Sequence, residues 1–223
     1  MRILNLLIPV LFISCSTSTE SEQSTSSWDT TRVDEEYLRK PEPGSLPGDR
    51  RSWQNPDLVL DKLGNLDGKI VADIGAGTGY FTFRLADRGA DVVAIDIEED
   101  YLSYIDNRKD ELPSLNPGQI RIRLSAENDP LLEPNEADIV LLVNTYAFLS
   151  DRIEYLRKVS TGLVDNGLIC IVDYKSSDVP IISKEAPVLK SDLVVRELRE
   201  AGFVNIELDA RSLEFQYIIT ANK

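Results

Sequence analysis

The chain predicts an α/β domain from about residue 50 onward: a mostly parallel sheet of seven strands with helices on both faces and a terminal antiparallel hairpin. Three observations carry this. Apolar strand-like runs alternate with helically spaced segments along the whole region. The first alternation turns on Gly75-Ala76-Gly77-Thr78-Gly79, a glycine-rich strand-to-helix junction. The last two strand runs are joined by a short turn with no helix between them, which makes that pair antiparallel.

The elements follow in order. Asn55-Pro56 opens a short helix with Leu58, Val59 and Leu63 on one face, closed by Gly64. Lys69 to Ile74 is an apolar strand ending at the glycines, and Tyr80 to Arg88 is helical until Gly89. Asp91 to Ile97 is a strand, Glu99 to Lys109 a helix and Ile120 to Leu124 a strand, after a loop through Asn116-Pro117-Gly118. Ala137 to Val143 is a buried strand, Ser150 to Leu163 a helix, Asp165-Asn166-Gly167 a turn and Leu168 to Tyr174 a strand. Ser191 caps a helix through Ala201 that Gly202 ends, and Phe203 to Asp209 and Glu214 to Ala221 form the hairpin.

The glycine turn carries the chemistry. A dinucleotide fingerprint spaces its glycines G-x-G-x-x-G, whereas this turn reads G-x-G-x-G with Asp73 two residues ahead, so an NAD-type oxidoreductase is disfavoured. Without a pyrophosphate to hold, such a turn can accept the methionyl end of S-adenosylmethionine (SAM), with Asp73 placed to receive its ammonium. Asp96 closes the second strand, where a carboxylate can accept both hydroxyls of a ribose. Together these residues resemble class I SAM-dependent methyltransferases over roughly Trp53 to Lys223. The resemblance implies a Rossmann-like methyltransferase fold with SAM as methyl donor. The cofactor site it implies is Asp73, Gly75, Ala76, Gly77, Thr78, Gly79, Asp96 and Ile97. In that family a loop after the third strand holds the adenine. Ser125-Ala126-Glu127-Asn128-Asp129 stands there, giving Ala126 through its backbone and Glu127, although Leu124-Ser125 replaces the usual Gly-Asp.

Composition narrows the reaction. With 24 Lys+Arg against 38 Asp+Glu, the net charge of −14 argues against a nucleic-acid partner, and the resemblance implies a small-molecule acceptor. There is no histidine, so any general base is Asp, Glu, Tyr, Lys or water, and no metal site is expected. Ligands sit beyond the carboxyl ends of parallel strands, so Asn144, Thr145 and Tyr146 should border SAM, while Asp173 and Tyr174 could line the acceptor pocket. Asn144, Tyr146, Asp173 and Tyr174 are thus the catalytic candidates. Trp53-Gln54 could cover the pocket or serve as a packing anchor, and residues 175–190 could form the acceptor's wall. Many small-molecule members carry a His or acidic residue after the fourth strand, where this chain has Tyr146-Ala147-Phe148. A degenerate protein that binds SAM without catalysing transfer is therefore the alternative. The oligomeric state is left open.

Residues 1–15 read as an address. Arg2 precedes an apolar stretch from Ile3 to Ile13, too short to span a bilayer but suited to a secretory signal. Phe12-Ile13-Ser14-Cys15 resembles a bacterial lipobox, which implies a lipidated Cys15 and an envelope lipoprotein whose membrane contact is that anchor. Plain secretion, or a cytoplasmic protein with a misassigned start, are the alternatives. Ser16 to Ser27 is almost entirely Ser, Thr, Glu and Gln, and prolines and glycines follow to Asp49, so residues 16–49 read as a flexible linker before a domain at 50–223.

Overall fold

The computed structural model describes residues 50–112, 115–116, 118–176 and 186–223. The expected signal segment and linker (1–49) and residues 177–185 of the expected acceptor wall lie outside the described residues. In chain order the elements are α1 (Arg50–Gln54), α2 (Pro56–Asp61), β1 (Ile70–Ile74), α3 (Thr82–Asp87), β2 (Asp91–Asp96), α4 (Glu99–Lys109), β3 (Ile120–Leu124), β4 (Ala137–Val143), α5 (Arg152–Gly162), β5 (Leu163–Tyr174), α6 (Ser191–Glu200), β6 (Val204–Asp209) and β7 (Gln216–Asn222).

The seven strands form one sheet in the order β3-β2-β1-β4-β5-β7-β6. β1 runs parallel to both β2 and β4, with Ala72 opposite Val93 on one side and Val140 on the other. β7 is antiparallel to β6, its hairpin partner, and also to β5, beside which it inserts. The chain builds outward from β1 to β3 and then crosses back to begin again at β4. The strand order therefore reverses between β1 and β4, and their carboxyl ends open the crevice where such sheets bind ligands.

The period-2 alternation of the strands divides the core between the two faces. Val71, Val92, Leu141, Val172 and Ile218 pack with Val59 and Leu60 of α2 and Phe83 and Leu85 of α3. Ala72, Val93, Val140, Ile171 and Ile219 pack on the other face with Leu156 of α5 and Val194 and Leu198 of α6. Each fully buried Leu, Ile or Val contributes about 1.5–3 kcal/mol, so both layers are needed to hold the sheet.

Two local expectations differ in kind from the structure, while several other element ends move by one or two residues. Asp165-Asn166-Gly167 does not separate a helix from a strand; β5 starts at Leu163, and residues 164–167 bulge out opposite the single residue Asp138. The turn chemistry is used all the same, because Asn166 takes φ +60° inside that bulge. Ser191 is the first residue of α6 rather than its cap, and Lys190 occupies the cap with no side-chain hydrogen bond.

Candidate functional site

The glycine turn begins where β1 ends. The amides of Gly75 and Ala76 both donate to the Ile95 carbonyl of β2, at 2.8 and 3.0 Å, which bends the chain sharply out of the sheet. Gly75 sits at φ +76°, and a Cβ there would lie 2.1 Å from Oγ1 of Thr145. The turn and the loop after β4 therefore close on each other so tightly that only glycine fits. Gly77 is different: it has φ +53° but open space where a Cβ would stand, so its backbone faces a cavity.

That cavity has a volume of about 650 Å³ and is bounded by the turn at Gly75 and Gly77, by Asp96 and Ile97 after β2, by Ser125, Ala126 and Glu127 after β3, and by Asn144 and Thr145 after β4. It thus lies across the carboxyl ends of four parallel strands, in the size range of small-molecule sites. A second cavity, of about 670 Å³, lies against α5 and is lined largely by charged side chains including Arg152, Lys158 and Glu197. No strand end or glycine turn contributes to it, so the first is the candidate site.

Asp96 is the polar anchor of the site. Its Oδ2 accepts from the Gly77 amide at 2.8 Å and its Oδ1 from the Glu98 amide at 3.0 Å, which fixes the carboxylate plane in the wall. Each carboxylate oxygen has two lone pairs, so one on each remains for a vicinal diol. Ile97, beside it, is 55% exposed and presents an apolar surface to the cavity. Phe148 is another exposed lining residue. An open backbone at Gly77, a carboxylate with spare lone pairs and apolar walls fit an adenosine carrying an amino-acid tail, so the residues present suit SAM. Among the described residues no group of three metal-ligating side chains occurs.

Several expected site residues lie elsewhere. Asp73 does not border the cavity: alternation along β1 turns it to the face of Val71, where its Oδ2 accepts from the Thr82 hydroxyl at 2.7 Å. Burial pushes its carboxyl up to about 6, partly offset by the Thr82 hydrogen bond. It braces the start of α3. Ala76, Thr78 and Gly79 are likewise outside the lining; Gly79 serves packing, since a Cβ there would lie 2.6 Å from Cε2 of Phe83. The Ala126 amide is taken by the Asp129 carbonyl at 3.1 Å, although the residue does line the cavity.

Among the catalytic candidates, only Asn144 faces the cavity. Tyr146 is fully buried, and its hydroxyl donates to Glu197 at 2.7 Å, which Arg152 also grips. Burial, with the neighbouring carboxylate, drives its ionisation far above the usual tyrosine range, so it is no base. Asp173 is buried too and accepts from the amides of Ala147 at 3.1 Å and Tyr174 at 2.8 Å, holding the 3-10 turn Tyr146–Phe148 onto β5. Burial raises its carboxyl to about 6. Tyr174 lies outside the lining, with its ring centroid 6.1 Å from that of Trp53.

Other cavity residues escaped the sequence reading: Glu98, Asp100, Tyr101, Phe148, Leu149 and Tyr155. The first three sit at or just before the amino end of α4, immediately after the Asp96 strand end, and that adjacency was the available signal. Gln54 and Gln216 are fully buried amides behind Asn144 and had no local signal, being 162 residues apart.

Comparison with known proteins agrees with this geometry. Residues 72–169, which contain the turn, Asp96 and Asn144, match a family model described as a methyltransferase domain. A SAM-dependent methyltransferase from Aquifex aeolicus superposes with a TM-score of 0.66 at 21% identity, covering 87% of this chain and 98% of that one. The fold is the Rossmann-like methyltransferase fold. Among curated relatives, the magnesium-protoporphyrin O-methyltransferase of Rhodobacter capsulatus is 44% identical over 76 residues, 34% of this chain and 33% of that protein. The ubiquinone biosynthesis O-methyltransferase of Aeromonas salmonicida is 29% identical over 117 residues, 52% of this chain and 47% of that protein. The chain thus spans less than half the length of these curated relatives.

Proposed function

We propose that this chain is a SAM-dependent methyltransferase acting on a small-molecule acceptor. The observation that carries the reading is the cavity at the β1/β4 reversal, where Gly77 offers bare backbone and Asp96 offers two oriented carboxylate oxygens. When bound, SAM supplies an electrophilic methyl on a sulfonium, transferred to a nucleophile in line with the breaking bond. The chain's part is to hold donor and acceptor in register and to exclude water. Asp96 anchors the ribose, Ile97 and Phe148 flank the base, and the Gly75–Gly77 turn lets the tail lie against backbone. The charged side chains of the lining are carboxylates, Asp96, Glu98, Asp100 and Glu127, which disfavours polyanionic acceptors such as nucleic acid. Of the two curated relatives named above, one is called a magnesium-protoporphyrin O-methyltransferase and the other a ubiquinone biosynthesis O-methyltransferase, which supports a small-molecule acceptor.

The test is calorimetric titration with SAM and its product S-adenosylhomocysteine, followed by transfer of tritiated methyl into cell-extract metabolites. Absence of binding would overturn the reading. A second reading, a SAM-binding protein without turnover, draws on one observation: of the four catalytic candidates, three lie outside the cavity lining. Tight product binding with no acceptor labelled would favour it.

For location we propose export and anchoring through a lipidated Cys15, on the strength of the apolar run Ile3 to Ile13 and the Phe12-Ile13-Ser14-Cys15 sequence. The native protein should then enter the detergent phase and a Cys15→Ala variant should not; equal partitioning would refute the anchor. No helix among the described residues is long and apolar enough to cross a membrane.

A further inference from the structure

A line of side-chain amides runs from the first helix to the cavity wall. Arg50 Nε donates to Gln54 Oε1, Gln54 Nε2 donates to Gln216 Oε1 at 3.1 Å, and Gln216 Nε2 donates to Asn144 Oδ1. Gln54 and Gln216 are both 0% exposed, so neither amide can trade its partner for water. The direction of the line follows from chemistry. A guanidinium only donates, so the atom of Gln54 that meets it must be the oxygen; the amide nitrogen then faces Gln216, and the same constraint passes on to Asn144. Asn144 has its oxygen turned to Gln216 and its NH₂ left over. That group has no partner among the described residues, and the residue, held at φ +56°, lines the cavity.

Resting on the SAM-site reading, we propose that this polarised line makes Asn144 a fixed hydrogen-bond donor for the carboxylate of the bound amino-acid tail, with Gln216 as its positioning residue. Asn144 stands at the glycine-turn end of the cavity, because its neighbour Thr145 is the residue packed on Gly75. In the reading above, the tail lies at that end. Of the tail's two charged groups the ammonium can only donate, so a donor such as the Asn144 NH₂ pairs with the carboxylate alone. The lining contains four carboxylates and no Lys or Arg, so a carboxylate ligand needs a neutral donor there. The amide line provides one while the charge of Arg50 stays behind two buried residues.

The test uses two probes on the full chain by calorimetry: S-adenosylhomocysteine, which carries the tail, and methylthioadenosine, which lacks it. Asn144→Asp keeps an oxygen for Gln216 but turns the cavity-facing donor into an acceptor. It should weaken S-adenosylhomocysteine by about tenfold or more and leave methylthioadenosine unchanged. Gln216→Met leaves Asn144 in place without its fixed orientation and should weaken S-adenosylhomocysteine by about threefold to tenfold, again sparing methylthioadenosine. This arm also carries the test if the Asp variant fails to fold. Unaltered S-adenosylhomocysteine affinity in both variants, or parallel losses for the two probes, would overturn the proposal. Wild-type protein that binds neither probe would overturn the SAM-site reading beneath it.

Discussion

At the scale of single residues, the glycine turn separates two roles that its spelling makes look alike. Gly75→Ala drives a Cβ into Thr145 and should destabilise the fold, while Gly77→Ala meets open space and carries only left-handed strain, about 1–2 kcal/mol. Gly77→Ala should therefore retain a cooperative melt but lose ligand affinity, and Gly75→Ala should show a lower melting temperature first; thermal denaturation and product titration on both variants check this. Asp73 gives a pH prediction. Its folded carboxyl lies near 6 against 3.8 in the unfolded chain, so the native state favours the protonated form. The favourable contribution is full below pH 3.8 and is lost as pH rises through about 6. Asp73→Asn removes that titration while keeping an oxygen for Thr82. Relative to wild type, the variant should gain up to about 3 kcal/mol between acid and neutral pH, measured by urea unfolding at a series of pH values. Asp173, which titrates in the same range, is common to both proteins and cancels in the difference. A difference that stays flat with pH would show that the native site holds Asp73 as an anion.

At the scale of elements, the boundaries of α4, β3 and β4 are legible in the sequence residue for residue: β3 alternates, β4 is a continuous apolar run and α4 opens on acidic and closes on basic residues. The mostly parallel sheet with its closing hairpin, and a site beyond its carboxyl ends, follow from the βα rhythm; the order of the strands does not. What was not legible is direction and distance. Asp73 and Tyr146 carry the right chemistry next to the right strand ends, but one faces α3 and the other is turned into the core by a 3-10 turn that periodicity over three residues cannot reveal. The five-residue helix α1 is too short to give a pattern and follows a Pro/Gly-rich stretch. The amide line was invisible because its partners are distant in sequence. Tyr146 illustrates the consequence: it ties the loop after β4 to α6 through Glu197, which also takes the Arg152 guanidinium. Tyr146→Phe should cost about 1–3 kcal/mol by leaving a buried Glu197 oxygen with one partner fewer, without altering product affinity. A catalytic tyrosine would behave the opposite way, so melting temperature and calorimetry on one variant separate the two roles.

At the scale of the whole molecule, both core layers draw on residues between Val59 and Ala221, yet the domain does not begin at Val59. α1 is joined to the far end of the chain: Gln54 donates to Gln216 on β7, and Trp53, 8% exposed, stands against Tyr174 on β5. Arg50 lies 3.9 Å over the ring of Tyr80, at the end of the glycine turn, so the same short helix reaches both sides of the strand-order reversal. This predicts a sharp boundary. A chain shortened to begin at Arg50 should melt with the full chain, because every described contact of both layers is kept. A chain beginning at Asn55 loses the buried Trp53, worth about 3–5 kcal/mol by comparison with large core truncations, and strands the Gln216 oxygen without a donor. Its melting temperature should fall by roughly 8 °C or more, and its affinity for S-adenosylhomocysteine should fall with it, because Gln216 then has no fixed orientation to impose on Asn144. Equal melting of the two shortened chains would show that α1 is an appendage; a loss confined to the shorter one makes it the element that locks the site to the sheet.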